Sequence, residues 1–158
     1  MRTVRVSQTV PNTVVEAERC WYATAGWPRW IDGCDRVLEV DPQWPAVGAG
    51  VVWETGPAGR GRVTERVVAH EPLEGQILEV QDDSISGRQQ VAFVPVGAEA
   101  VTVELSLAYQ LRRRSLISPL VDLLFIRRAM AASLATTLRR FSAELDGALR
   151  RSGSDLAP

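Results

Sequence analysis

The last quarter of the chain constrains the fold most. Met130, Leu134, Leu138, Phe141, Leu145 and Leu149 recur at steps of four, four, three, four and four, which draws one apolar stripe along an α-helix. Arg128, Arg139 and Arg150 are eleven residues apart, about three turns, so they share the opposite, solvated face. Ser118-Pro119 is the expected start: the hydroxyl caps free backbone N–H groups, and proline at the first helical position has no N–H to leave unpaired. Asp122 in the first turn suits the positive end of the helix dipole. From Ser118 to about Arg150 such a helix runs ~48 Å. It cannot bury its stripe alone and needs a sheet to lie across.

The upstream chain supplies one. Over residues 3–10, Val4, Val6, Gln8 and Val10 alternate with Thr3, Arg5, Ser7 and Thr9, a half-buried strand. Pro11-Asn12 ends it, and Thr13-Val14-Val15-Glu16 has capping-box spacing, opening a helix through about Thr24. Gly26 to Gly33 reads as a turn and a second short helix closed by glycine. From Cys34 the period becomes two, with strands expected near 35–41, 49–56, 60–70, 75–83, 85–95 and 100–112. The joints between them are short and turn-rich, which favours an antiparallel meander. We expect a single domain over 1–151 and a flexible tail over 152–158.

Composition excludes several functions. The 158 residues suit one domain, and 46% hydrophobic with 23% charged residues is ordinary for a globular chain. A net charge of −1 gives no long-range attraction to nucleic acid. Every basic residue is arginine, so no Schiff base can form on lysine. The most apolar segment, Leu116 to Ile126, is about half of a bilayer span and contains Asp122, so no integral membrane segment is expected. It is nonetheless apolar nearly all round, which calls for cover by other elements, by a second subunit in a homodimer, or by a membrane-bound ligand donor. Met1 to Arg5 alternates and does not read as a signal peptide. Cys20 and Cys34 form no disulfide framework and lack partners at metal-ligand spacing. A cytoplasmic chain with reduced thiols, and without metal or cofactor, is the expectation.

The ordered elements resemble the START / polyketide cyclase / Bet v 1-like (SRPBCC) superfamily. The resemblance rests on the opening strand ending in Val10-Pro11-Asn12-Thr13-Val14-Val15 and on Gly26-Trp27-Pro28-Arg29-Trp30. It continues through Gly48-Ala49-Gly50-Val51-Val52-Trp53, Val63-Thr64-Glu65 with Glu71-Pro72, Phe93-Val94-Pro95 with Gly97, and the terminal helix. It implies an α+β helix-grip fold. In that fold a curved seven-stranded antiparallel sheet wraps around a long C-terminal helix, two short helices follow the first strand, and a cavity lies between sheet and helix. Members bind lipids, sterols, polyketides, hormones or quinones there, and some cyclise or dehydrate polyketide chains. Those cyclases carry an arginine on the inner face of the fourth strand. Here Val63, Glu65, Val67 and Ala69 share that face, opposite Arg62, Thr64, Arg66 and His70, so an acid is present but no arginine.

Strand parity places further side chains toward the helix: Val51, Trp53 and Thr55; Gln89, Val91 and Phe93; Val101, Val103, Leu105, Leu107 and Tyr109. With the helix stripe they make up the candidate ligand-contacting set of Trp27, Trp30, Trp53, Val63, Glu65, Val67, Gln89, Val91, Phe93, Leu105, Leu107, Tyr109, Met130 and Leu134. Trp27 and Trp30 either plug the end of the sheet or touch ligand, and Trp53 is core or cavity wall. Glu65 is the one acid read as inward, where desolvation raises its pKa, and a register slip of one residue would turn it outward. Glu65 and Tyr109 are the catalytic candidates. His70 reads as a turn histidine and Arg112-Arg113-Arg114 as a solvated cluster. The expected function is binding of a hydrophobic small molecule. A polyketide cyclase/dehydratase-like enzyme and a protein-interaction module are the alternatives.

Overall fold

A computed structural model of the chain describes residues 1–112 and 119–154. Its elements are β1 (Arg2–Val10), α1 (Val14–Tyr22), a 3₁₀ turn (Thr24–Gly26), α2 (Trp27–Trp30), β2 (Cys34–Val40), β3 (Gly50–Thr55), β4 (Arg62–Glu71), β5 (Gly75–Gln81), β6 (Ile85–Val96), β7 (Ala100–Leu111) and α3 (Pro119–Ser154). The strands form one seven-stranded sheet in the order β1-β7-β6-β5-β4-β3-β2. Every neighbouring pair is antiparallel. β1 and β2 are therefore opposite edges, and α1 and α2 carry the chain from one edge to the other. This is the expected α+β helix-grip fold, the curved sheet closing on the long C-terminal helix.

Local chemistry sets the joints. The α1 capping box forms in full: Thr13 Oγ1 accepts from the Glu16 amide at 3.2 Å, and Glu16 Oε2 accepts from the Thr13 amide at 2.9 Å. Gly33, at φ +82°, turns the chain from α2 into β2, a conformation that costs a side-chain-bearing residue more than glycine. α3 lies against β1, β7 and α2. Its stripe meets the sheet as the spacing requires, with Leu134, Leu138, Phe141 and Leu145 buried and Arg128, Arg139 and Arg150 exposed.

Four expectations need correction. Ala69 is exposed, because a β-bulge between Val67 and Ala69 adds one residue to β4 and reverses the faces beyond it. Leu149 is 43% exposed, since the stripe runs on past the sheet that covers its earlier members. Leu124 and Phe125, at 66% and 73% exposure, are not covered by other elements among the described residues, which removes the first of the three covers expected for this apolar stretch. α3 continues to Ser154, three residues into the expected tail. The Ser118 cap, Arg113, Arg114 and residues 155–158 lie outside the described residues.

The stripe thus contains members of unequal weight. Phe141 is fully buried against Trp21 and Trp30, with ring centroids 5.1 and 5.0 Å away. Phe141→Ala should cost about 3–5 kcal/mol, and Leu149→Ala less than about 1 kcal/mol. Urea unfolding of the two variants checks this, and equal losses would mean that the helix is not seated as described.

Candidate functional site

Between sheet and helix the described residues enclose a cavity of about 50 Å³. Trp53 on β3, Glu65 on β4, Gln89 on β6 and Leu105 on β7 form its sheet side. Ser133, Leu134 and Thr137 of α3 form the other. Trp21, Trp30, Ile31 and Asp32 close one end, and Arg60 reaches in from the β3–β4 loop. Outside lies a depression of about 380 Å³ lined by Asp32, Gly33, the 55–60 loop and Ser133. The two spaces share Asp32, Arg60 and Ser133, which stand between cavity and solvent.

Glu65 is the chemical centre of this cavity. It is 4% exposed, and the Trp53 indole Nε1 donates to its Oε1 at 3.2 Å. Burial pushes the carboxyl up to about 7; the Trp53 hydrogen bond and the Arg60 charge pull it down and only partly offset desolvation. Arg60 itself is committed elsewhere. Its guanidinium lies 3.1 Å from the buried Asp82 carboxylate, whose Oδ1 also accepts from the amides of Ser84 and Ile85. At the mouth, Ser133 Oγ donates to Asp32 Oδ2 at 2.8 Å, the Asp32 amide donates to Thr137 Oγ1 at 3.0 Å, and Arg140 sits 3.4 Å from Asp32 Oδ1. The portal side of the cavity is therefore a polar seam between α3 and the turn after α2.

Six of the sequence candidates come together around the cavity: Trp30, Trp53, Glu65, Gln89, Leu105 and Leu134. Val63, Val67, Val91, Phe93 and Leu107 are buried in the core but do not line it. Trp27 packs edge-on against Trp30 and Trp44, and its Nε1 donates to the Trp21 carbonyl at 2.9 Å. Met130 is half-buried, its sulfur 4.0 Å from Arg60 Nη1. Tyr109 is fully buried and its hydroxyl has no hydrogen-bond partner among the described residues. It stands on β7, three strands from Glu65 on β4, about 14 Å across the sheet. Glu65 lines the cavity and Tyr109 is not among the residues that line it. His70 is half-buried, edge-on to Tyr22 and 3.8 Å from Glu18, away from the cavity.

Sequence reasoning missed Arg60, Asp32, Trp21, Ile31, Ser133 and Thr137. For Arg60 there was a signal. It stands between Gly59 and Gly61, and Gly61 adopts φ +76°, so the alternation that groups Arg60 with outward Arg62 does not reach past it. The inner face of β4 has no arginine, yet the preceding loop delivers one to the cavity wall. Among the described residues no group of three His, Cys, Asp or Glu could hold a metal ion. Burial pushes the free thiols of Cys20 and Cys34 up to about 11 and 12. No helix among the described residues is long and apolar enough to cross a membrane.

No curated protein matches the chain's sequence. Solved structures share the fold at low identity. An aromatase/cyclase, Zhui, from a Streptomyces species matches with a TM-score of 0.79 at 14% identity, over 96% of this chain and 98% of that one. A START superfamily protein from Mycobacterium smegmatis matches at 0.73 and 11%, over 92% and 97%. Norcoclaurine synthase from Thalictrum flavum, in complex with dopamine and hydroxybenzaldehyde, matches at 0.66 and 11%, over 91% and 86%. The sequence model of one family, described as polyketide cyclase / dehydrase and lipid transport, matches residues 1–146. The chain belongs to the polyketide cyclase/dehydrase and lipid transport family.

Proposed function

We propose that this chain binds a small hydrophobic molecule of aromatic or polyketide type between the sheet and α3, with the protonated Glu65 carboxyl as its polar anchor. The observation that carries this reading is the buried Glu65, held by Trp53 beside Gln89, with Trp21, Trp30, Ile31, Leu105 and Leu134 as apolar walls and the polar Asp32, Arg60, Ser133 and Thr137 gathered at the mouth. Few placed polar groups in an apolar pocket are what orient such a ligand. A drug-sized ligand needs roughly 300–1,000 Å³, so entry requires parting the seam where Ser133 meets Asp32 and Arg60 meets Asp82. The 55–60 loop and the middle of α3 are the elements that move. The family supports a ligand-binding or cyclase-like role of this kind.

A second reading, the cyclase/dehydratase-like enzyme, draws on one further observation. A carboxyl raised to about 7 can both give and take a proton near neutral pH, as general acid–base catalysis requires. Arg60 on the cavity wall supplies positive charge for a developing enolate oxygen.

Binding is tested by titrating the protein with a long-chain fatty acid, a quinone and a polycyclic phenol while following tryptophan emission. At least one should change the emission saturably, and Trp53→Leu should weaken the response. No response to any of them, together with an empty mass by native mass spectrometry of protein from its own host, would remove the reading. A thioester-linked polyketide turned over by wild type and not by Glu65→Gln would select the enzyme.

Glu65 also predicts a pH dependence of stability. Its folded pKa of about 7 exceeds the 4.5 of an ordinary glutamate, so ionising it costs folding free energy. Its contribution is fully present below about pH 4.5 and is lost as pH rises through about 7. Glu65→Gln keeps an acceptor for Trp53 but cannot ionise. Its advantage over wild type should be near zero at pH 4 and grow to about 3 kcal/mol above pH 7. Denaturant melts from pH 4 to 8 check this, and a constant difference would place Glu65 in water.

A further inference from the structure

The far side of Trp30 from the cavity faces a second concavity of about 490 Å³, between α1, the turn into α2 and the C-terminal end of α3. Its apolar wall is Leu145, Ala148 and the 43%-exposed Leu149, with Ala23 and Ala25 across from them. Two polar side chains in its lining are unanswered among the described residues. Asn12 is 2% exposed, and neither its amide nitrogen nor its oxygen has a hydrogen-bond partner. Trp30 is fully buried, and its indole N–H is likewise unpaired. That N–H lies on the groove side: a Cβ on Gly26, which lines this groove and not the inner cavity, would come 3.5 Å from Trp30 Nε1.

The charges around the groove are biased to one sign. Arg19, Arg29 and Arg151 line it against Glu16 and Glu144. Both acids are already engaged: Glu16 accepts from the Thr13 amide in the α1 capping box. Glu144 accepts from Arg29 at 2.8 and 3.0 Å and lies 3.6 Å from Arg151. Arg19, exposed on α1, has no carboxylate partner among the described residues. A buried amide N–H and a buried indole N–H without acceptors carry an uncompensated desolvation penalty, which an incoming acceptor would relieve.

From this arrangement we infer that the groove is a second binding site, separate from the sheet–helix cavity, for a small amphipathic organic anion such as a medium-chain carboxylate. The anionic head meets Arg19 and the Asn12 and Trp30 donors, and the apolar body lies along Leu145, Ala148 and Leu149. This explains why the helix stripe continues to Leu149 beyond the sheet. The inference does not depend on what the inner cavity binds.

The test is titration of the isotope-labelled full chain with sodium octanoate, followed by nitrogen–proton correlation spectra. The Asn12 carboxamide and Trp30 indole signals should shift saturably at millimolar octanoate, in wild type and equally in Trp53→Leu. Arg19→Glu and Leu149→Asp, both at exposed positions, should each weaken the shift at least about tenfold. n-Octanol, the same chain without the charge, should bind at least about tenfold more weakly than octanoate. Shifts confined to Trp53 and Gln89 would place the anion in the inner cavity and overturn the groove site. So would the absence of shifts, or shifts indifferent to Arg19→Glu.

Discussion

Trp21, Trp30 and Phe141 form the joint on which the rest of the molecule depends. One ring comes from each helix, with centroids 4.9 Å apart for the two tryptophans and 5.1 and 5.0 Å from each to Phe141. All are tilted or edge-on, the arrangement in which the positive edge of one ring meets the negative face of another. Trp21 also meets Phe93 of β6 edge-on at 6.2 Å, so the cluster fastens all three helices to the sheet. The size of these rings fixes how far α3 stands off the strands. That standoff is what leaves space at Glu65 a few residues along the helix, where Ser133, Leu134 and Thr137 replace aromatic bulk.

The cavity is made in a place where the fold gives up stability. A carboxyl at 4% exposure with one indole donor is not the lowest-energy way to fill that position. Glutamine would keep the hydrogen bond and lose the desolvation penalty. Arg60 does not neutralise the acid, because its guanidinium is drawn to Asp82, whose other oxygen is held by two backbone amides. An arginine bonded directly to Glu65 would hold it ionised. Kept at this remove, Arg60 only partly offsets burial, and with a pKa of about 7 the carboxyl populates both its neutral, donating form and its carboxylate near neutral pH. The Arg60–Asp82 pair thus tunes Glu65 and closes the mouth at once.

Most of the fold was legible from the sequence because its signals are local and repeated. The stripe of α3, the capping box at Thr13–Glu16 and the two-residue alternation after Cys34 each name an element, and short joints leave the meander as the natural pairing. Glu65 was placed correctly for a simple reason: the β4 bulge falls after it, between Val67 and Ala69, so parity counted from Val63 still holds. Past Val67 the same count fails, and Ala69 faces solvent. Arg60 was missed because Gly61, at φ +76°, breaks the extended backbone before the strand begins. Asp32, Ser133 and Thr137 could not be read at all. Their meeting across the seam depends on where α3 lies relative to the turn after α2, and no periodicity within either segment encodes that distance.

The tryptophans show how much an otherwise uniform sequence signal can hide. Each reads as a bulky apolar residue, yet their indole N–H groups part company in the fold. Those of Trp27 and Trp44 donate to the carbonyls of Trp21 and Tyr22, at 2.9 and 3.1 Å. These are the last two residues of α1, whose carbonyls have no partner within their own helix. Side chains remote in sequence thereby finish the end of that helix and fix α2 and the 41–49 loop to it. Trp53 donates to Glu65 and so belongs to the cavity. Trp30 lies three residues from Trp27 and is buried as deeply, but its N–H meets no acceptor among the described residues. Since buried donors are nearly always paired, it matters that this unpaired one falls at the wall between the inner cavity and the outer groove, both of which Trp30 lines.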